Sequence, residues 1–530
     1  MRRWNGWGDE SISVPLPKGA TEFLAQAIGK PTPLPDARLE DVLTKVPPSR
    51  LPDHPLIIKD PEQRIRHARG QSFPDWLALH SGNIGTFPDG VVFSEDSQQV
   101  RKLLAFAKTN GIAVIPYGGG TSVVGHINPQ KDDRPILTIN MGRMNRLLDL
   151  DEQSLLATFG AGAAGPDIEA QLRAHSYTLG HYPQSFEYST LGGWVATRSS
   201  GQQSLYYGRI ERLFAGGTLE TPEGTVRLPP FPASAAGPDL RDMVLGSEGR
   251  LGILTEVIVR IQPLPQRESF HVLFFPDWQT GLERVRCALR TGLRLSMLRL
   301  SNHTETRTFL NLGGGKITVS ILEKLLSFKG AKEEKCMLTF AVSGTKRLHK
   351  QTLRDAFRLF RPSAGKAINR ILGGKWAENR FRSAYLRNTL WEMGYGIDTL
   401  ETATTWDQVD HLMVGIEKAI YSAFSAEGQK CLVFSHLSHL YPQGSSIYTT
   451  YLFPVASTYE QTFRQWARAK DAASRVIVAQ GATISHHHGI GTDHRPYLVY
   501  EKSRLGVDAI ASLCKHFDPQ GIMNPGKLVE

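Results

Sequence analysis

Three consecutive histidines, His486, His487 and His488, lie in a short segment that ends in Gly489 and Gly491, and these are the side chains best suited to proton transfer. Imidazole titrates near neutral pH, and the glycines permit the tight backbone needed to press rings against a ligand. The other chemistry such a run suggests is zinc ligation. Successive residues of an extended chain point to opposite faces, so three neighbours do not readily share one ion, and no metal is expected.

Phosphate binding is the second chemistry on view. Pro116, Tyr117, Gly118, Gly119, Gly120, Thr121 and Ser122 follow the apolar run Ile112–Ile115, and glycines there leave backbone N–H groups free to converge on a phosphate oxygen. Two further loops carry small, hydrogen-bonding residues. One holds Gln184, Ser185, Phe186, Glu187, Tyr188, Ser189 and Thr190, continued by Thr197, Arg198, Ser199 and Ser200. The other holds Glu248, Gly249, Arg250, Leu251, Gly252, Ile253 and Leu254. Three such loops make a distributed cradle for a long, folded anionic ligand such as FAD. The run Gly160-Ala161-Gly162-Ala163-Ala164-Gly165 imitates a dinucleotide fingerprint, but Pro166-Asp167 directly after it reads as the first turn of a helix only then beginning.

These loops need elements to hold them. Residues 1–85, rich in proline, read as a wrapped N-terminal extension; 86–265 as a cofactor domain of alternating short strands and helices; 266–475 as a second, more helical domain; and 476–530 as a short α/β segment completing both. Ser97 is placed to cap a helix whose apolar stripe is Val100, Leu103, Leu104 and Ala107 and which ends at Asn110-Gly111. Prolines near 261–265 read as a linker.

Composition bounds the rest. A chain of 530 residues exceeds what one core supports, and 41% hydrophobic with 21% charged residues is ordinary globular composition. No run reaches the roughly 20 apolar residues of a membrane span, and the N-terminus lacks the apolar core of a signal peptide, so a cytoplasmic protein is expected. Cys287, Cys336, Cys431 and Cys514 are scattered and read as reduced thiols. The net charge of +10 favours anionic partners, phosphorylated or lipid, over nucleic acid, for which no motif is present. Basic residues from Lys346 to Arg387 alternate with Phe357, Leu359, Phe360, Ile368 and Ile371, which suits solvated helix faces or peripheral contact with a membrane. A homodimer is the expected assembly.

In order and wording these motifs resemble the vanillyl-alcohol-oxidase type of FAD-binding domain, and within it the alkyldihydroxyacetonephosphate synthases (alkylglycerone-phosphate synthases). The likeness runs from Trp4-Asn5-Gly6-Trp7-Gly8 to Asn524-Pro525-Gly526-Lys527. It implies an α+β fold, a two-subdomain FAD-binding domain with a mixed α/β cap over the substrate. Flavin dehydrogenases of the glycolate and lactate type share the FAD motifs, and an FAD-linked 2-hydroxy-acid dehydrogenase is the alternative reading. Their later segments carry histidines and a glutamate that can hold a metal. Here His487 stands at the glutamate position, and Ser435–Tyr448 with His486–His488 look like the synthases.

From the residues alone, Tyr448 is a strand residue, and Arg299 and Arg387 are solvated cations. The resemblance implies that Tyr448, His486, His487, His488 and Arg299 are catalytic and that Arg387 meets the substrate phosphate; Asp398–Ala403 and Trp406 also match the pattern. A phenol with a pKa of roughly 10 needs cations or imidazoles beside it to act, and the histidine loop is expected to supply them. Gln184 departs from the family's aspartate and is expected to alter a cofactor hydrogen bond. Thr121 stands where a linking histidine often sits, so FAD is expected to be non-covalent, with His126 and His181 the nearby exceptions. The implied reaction exchanges the acyl group of acyl-dihydroxyacetone phosphate for a long-chain alcohol, with Tyr448 as acid/base at C1 and the histidine loop deprotonating the alcohol.

Overall fold

The computed structural model describes residues 1–313, 320, 323–324, 326–328, 330–364 and 368–530. The side chains of Ile368 and Ile371, read above as part of the basic stretch, lie outside the described part.

Helix Ser97–Asn110 buries Val100, Leu103, Leu104 and Ala107, the stripe its spacing predicts. Its cap is Asp96 rather than Ser97: the Asp96 carboxylate accepts from the Gln99 N–H at 2.8 Å, and Gly111 closes the helix in the left-handed region. The helix crosses to strand Ala113–Tyr117, the edge of a parallel three-stranded sheet whose middle strand is Ile136–Asn140 and whose far edge is Gly90–Phe93. The free edge is taken up by the C-terminal segment: Val114 donates to the Ile522 carbonyl at 2.7 Å, and Asn524 donates to the Val114 carbonyl at 2.8 Å.

The predicted α/β alternation stops there. The remainder of the first half is a five-stranded sheet in the order Leu147–Asp151, Leu156–Gly160, Ile253–Arg260, Phe214–Thr221 and Gly224–Leu228, antiparallel throughout. Leu156–Gly160 therefore has no parallel neighbour, and the glycine run after it belongs to a connecting turn. Helix Gly165–Ala174 follows with Pro166 in its first turn. Gln262–Pro263, expected to be linker, is a short strand paired with Tyr177–Thr178. Leu498 and Cys514 from the last long helix and Leu528 and Val529 beyond it are buried in the core of this sheet.

The second half differs more from its reading. Among the described residues it is built on a seven-stranded antiparallel sheet, in the order Ile368–Asn369, Arg267–Phe275, Cys336–Gly344, Met297–Ser301, Leu432–Leu437, Gly444–Pro454, Tyr395–Thr405. Cys336–Gly344 is buried along its whole length, so it shows no alternation from which a strand can be read. Helix Val409–Ser425 covers the sheet with Val409, Leu412, Met413, Ile416, Ile420 and Phe424, and packs against Trp466, Ala469, Ala473 and Ile477 of helix Tyr459–Ala479. Each such fully buried large side chain contributes about 1.5–3 kcal/mol by leaving water. On helix Lys346–Ala364, Phe360 is buried and Phe357 packs against the same core, so its apolar residues face inward.

Residues 1–85 form a wall of this second domain. Helix Phe73–Ser81 starts in a reciprocal cap, Ser72 Oγ accepting from the Asp75 N–H at 3.2 Å and the Asp75 carboxylate from the Ser72 N–H at 3.1 Å. Trp7, Phe73 and Trp76 join the core of the large sheet, and Leu24 and Ile28 pack on Leu390, Tyr395, Phe434 and Leu452. The four cysteines carry free thiols.

Candidate active site

A cavity of about 570 Å³ runs between the two halves, lined by all seven residues Pro116–Ser122 at one end and by Tyr448, His487 and His488 at the other. The glycine loop is pressed so closely on the second loop that side chains are excluded. A Cβ on Gly118 would overlap the Thr190 hydroxyl, and one on Gly119 the Tyr188 carbonyl. The N–H groups of Gly119, Gly120, Thr121 and Ser122 have no hydrogen-bond partner among the described residues. Backbone donors left without partners in such a loop suit a pyrophosphate. Arg2 closes the loop from outside, Nη2 donating to the Gly119 carbonyl at 2.6 Å, a contact its place in a short basic start did not signal.

Of the other cradle residues, Gln184, Ser185, Ser189, Thr190, Thr197, Ser199, Ser200, Glu248, Gly249, Gly252, Ile253 and Leu254 line the cavity. Phe186, Glu187, Tyr188, Arg198, Arg250 and Leu251 do not. Phe186 stacks on Phe381 at 5.0 Å, the Tyr188 hydroxyl meets that of Tyr385 at 3.1 Å, Arg250 donates to the Met523 carbonyl at 2.6 Å, and Leu251 is core. These residues hold loops rather than ligand. Gln184 also serves as a tie: its amide donates to the Arg380 carbonyl at 2.7 Å and to Ser383 at 2.9 Å, across to the second domain. Glu248 reaches the histidine loop, accepting from Ile490 N–H at 2.5 Å and Gly491 N–H at 2.8 Å.

Tyr448 sits mid-strand between Glu401 and His436, its register partners on either side. His436 stacks on the phenol ring at 4.8 Å and His488 meets it edge-on at 6.0 Å. Burial pushes the phenol up to about 12 despite Thr399 and Arg299 pulling the other way, so Tyr448 rests as a proton donor. The expected activation by the histidine loop does not govern it in this structure. Arg299, from strand Met297–Ser301, donates from Nη2 to Glu305 at 2.8 Å and lies 3.1 Å from His436 Nδ1. Burial raises the Glu305 carboxyl, but His436 and Arg299 outweigh it and hold it down at about 2.

Arg387, on helix Leu386–Glu392, donates from Nη1 to the Gln71 carbonyl at 2.5 Å and lies 4.1 Å above the Trp76 ring. Its Nη2 is buried with no hydrogen-bond partner among the described residues. Burial pulls the guanidinium down to about 10, which leaves it charged at neutral pH.

The histidine loop is bent, not extended, and neighbouring imidazoles do converge. His487 Nδ1 is 2.7 Å and His486 Nδ1 3.4 Å from the buried Glu401 carboxylate, and the two Nδ1 atoms are 3.1 Å apart. With His439, these residues bring one ligand-type atom each within 4.8 Å of one another, an arrangement that the extended-chain argument did not foresee. His486 itself does not line the cavity; burial pushes it down to about 4, and Nε2 lies 3.0 Å from Arg209 Nη1 and 2.7 Å from the Tyr441 hydroxyl. Glu305 and Arg209 are site residues outside every motif read from the sequence, whereas Glu401 and His439 lie inside the matched stretches Asp398–Ala403 and Ser435–Tyr448 without a role of their own there. A lone glutamate among the apolar and hydroxyl residues of strand Tyr395–Thr405 was the available signal for Glu401.

Residues 88–228 match the family model of the FAD binding domain, and residues 264–528, half of the chain, match that of the FAD linked oxidases, C-terminal domain. The chain belongs to the FAD-linked oxidases. FAD is its cofactor, and the fold is the α+β arrangement of the vanillyl-alcohol-oxidase type. Within the FAD-linked oxidases, the alkyldihydroxyacetonephosphate synthase of Dictyostelium discoideum is 29% identical, over 99% of this chain and 93% of its own length. That of Trypanosoma brucei brucei is 28% identical over 99% and 92%. A solved alkyldihydroxyacetonephosphate synthase superposes with a TM-score of 0.85 at 26% identity, covering 99% of both chains. The mitochondrial D-lactate dehydrogenase of Arabidopsis thaliana, at 26% identity, covers 83% of this chain and 73% of its own.

Proposed function

We propose that this protein exchanges the acyl group of acyl-dihydroxyacetone phosphate for a long-chain fatty alcohol, giving alkyl-dihydroxyacetone phosphate. The observation that carries the reading is Arg387: a cation whose Nη2 has no partner among the described residues, on the wall of the same cavity as Tyr448 and His487. A buried guanidinium edge left open is suited to a phosphate oxygen. Phe309, Leu312, Leu386, Leu390, Phe434 and Leu452 line the same cavity and suit a hydrocarbon chain. Similarity to alkyldihydroxyacetonephosphate synthases along the whole chain supports the same reaction.

The residues of the three loops would hold FAD, which would supply the electron-accepting ring that the exchange at C1 calls on. Arg387 orients the substrate by its phosphate, and Arg299, held by Glu305, keeps positive charge beside Tyr448. Tyr448 exchanges a proton at C1. The C1–O bond to the fatty carboxylate breaks, and the carboxylate leaves with its electron pair. A C1–O bond to the alcohol forms, and the alcohol's proton passes to the histidine loop. The overall exchange involves no net oxidation. The hydroxy-acid dehydrogenase reading loses support at position 487, where an imidazole stands in place of a metal-binding carboxylate.

Incubation of the FAD-loaded protein with acyl-dihydroxyacetone phosphate and labelled hexadecanol is expected to yield labelled alkyl-dihydroxyacetone phosphate. Anaerobic bleaching of the flavin by D-lactate with no labelled ether would overturn the reading.

A further inference from the structure

The glycine loop is held from outside by residues that belong to neither of the other two cradle loops. Arg2 donates from Nη2 to the Gly119 carbonyl at 2.6 Å and lies 5.0 Å from the centre of the Tyr188 ring. It touches the first and second loops where they meet, since the Tyr188 carbonyl is the atom that a Cβ on Gly119 would strike. The segment carrying Arg2 is itself pinned. Arg66 Nη1 donates to the Arg2 carbonyl at 2.8 Å, the Arg3 N–H donates to the Gly8 carbonyl at 2.8 Å, and Trp7 meets the Tyr188 ring edge-on at 5.7 Å. Farther along the loop, the Ser122 carbonyl accepts from the Gln71 N–H at 2.6 Å. That approach needs Gly70, because a Cβ there would fall 2.7 Å from the same oxygen. Residues 1–85 thus tie the loop at both Gly119 and Ser122.

Holding the Gly119 carbonyl fixes more than an oxygen. The Gly119–Gly120 peptide is trans, so its C=O and N–H point in opposite directions. Arg2 does not line the cavity, and Gly120 does. With the carbonyl drawn to Arg2, the Gly120 N–H is turned away from Arg2, and it has no partner among the described residues. Gly120 has a φ of 68°, a backbone that residues with a Cβ rarely adopt. Arg2 also carries a charge that no carboxylate cancels: its side-chain contacts among the described residues are a carbonyl and an aromatic face.

We infer that Arg2 is a cofactor-positioning residue, which sets the Gly120 donor of the glycine loop for the FAD diphosphate and adds an uncancelled positive charge behind it. Oriented backbone N–H groups and a nearby cation both favour an anion, and each strengthens what the other holds. Within FAD the diphosphate is the part that responds to both, because the riboflavin part carries no such charge. The inference holds whichever reaction the flavin serves.

FAD and riboflavin, titrated separately into the deflavinated full-length chain, distinguish this role from a general loosening of the fold. In Arg2→Ala, loss of one charge-assisted hydrogen bond should weaken FAD binding by about 10- to 150-fold and leave riboflavin binding within about 2-fold of wild type. Arg2→Lys keeps the charge without the fork, and its FAD affinity should fall between those of wild type and Arg2→Ala. Unchanged FAD affinity in Arg2→Ala would overturn the inference. So would an equal loss of FAD and riboflavin, which would make Arg2 a strut of the fold and nothing more. Arg2→Lys binding FAD no better than Arg2→Ala would overturn the part assigned to charge.

Discussion

The Arg387 guanidinium lies 4.1 Å above the ring of Trp76, and its buried Nη2 has no partner among the described residues. The indole fixes the plane of the fork, and Gln71 takes one of its donors at 2.5 Å. What is left over is an oriented, charged Nη2 group with both of its N–H donors to offer.

Arg387→Lys keeps the charge but loses the stacked plane and the fork. Loss of a charge-assisted hydrogen bond costs about 1.5–3 kcal/mol, about 10- to 150-fold in binding. The expected outcome is a KM for acyl-dihydroxyacetone phosphate raised by about that factor with the KM for the alcohol unchanged, read from steady-state kinetics with each substrate varied.

Gly119→Ala places a methyl group against the Tyr188 carbonyl, a backbone atom that cannot turn aside. The variant should lose FAD, seen as a fall in flavin absorbance per protein. Gly374 offers the contrast, because nothing lies within 4 Å of the Cβ it lacks. Gly374→Ala is expected to keep FAD and to gain about 0.5–1 kcal/mol from helix Arg370–Asn379.

Tyr448→Phe removes the one hydroxyl held between Glu401 and His436 without emptying its place. Turnover should drop by about 10²–10⁴-fold while the flavin spectrum stays that of the wild type. Retained turnover would remove Tyr448 from the reaction.

Acid should weaken the folded state from about pH 6.5 downward. Burial holds His67, His486 and His494 at about 4 and His181 at about 3, against 6.5 when exposed. Between those values the unfolded chain binds protons that the folded chain does not. Stability therefore rises with pH across that window and is lost as pH falls through it. Melting temperatures of the FAD-loaded protein between pH 4.5 and 7 should show this slope. His67→Gln, at a residue that packs on Tyr117 but does not itself line the cavity, should flatten it by up to one proton.

Sequence patterns conveyed some parts of this molecule and not others, for physical reasons. The stripe Val100, Leu103, Leu104 and Ala107 is legible because that helix has one wet face. Cys336–Gly344 is not, because both of its faces are covered and period two vanishes. The glycine loop is legible because close backbone approach leaves a compositional trace. Arg209 leaves none: its guanidinium finds His486 only through folding that spans 277 positions of sequence. Gln184 lines the cavity as its loop predicts, while the tie its amide makes to Arg380 and Ser383 leaves no trace in the sequence.

The C-terminal segment has a consequence for the order of events during synthesis. The strand that carries the glycine loop is complete only when residues 522–524 lie along its edge, and Asn524 Nδ2 donates to the Glu248 carbonyl at 2.7 Å and the His126 carbonyl at 3.1 Å. A ribosome that has finished the stretch up to residue 265 still has nearly half of the 530-residue chain to make before that edge exists. The edge of the strand beneath the glycine loop is thus closed by residues that are among the last to be made.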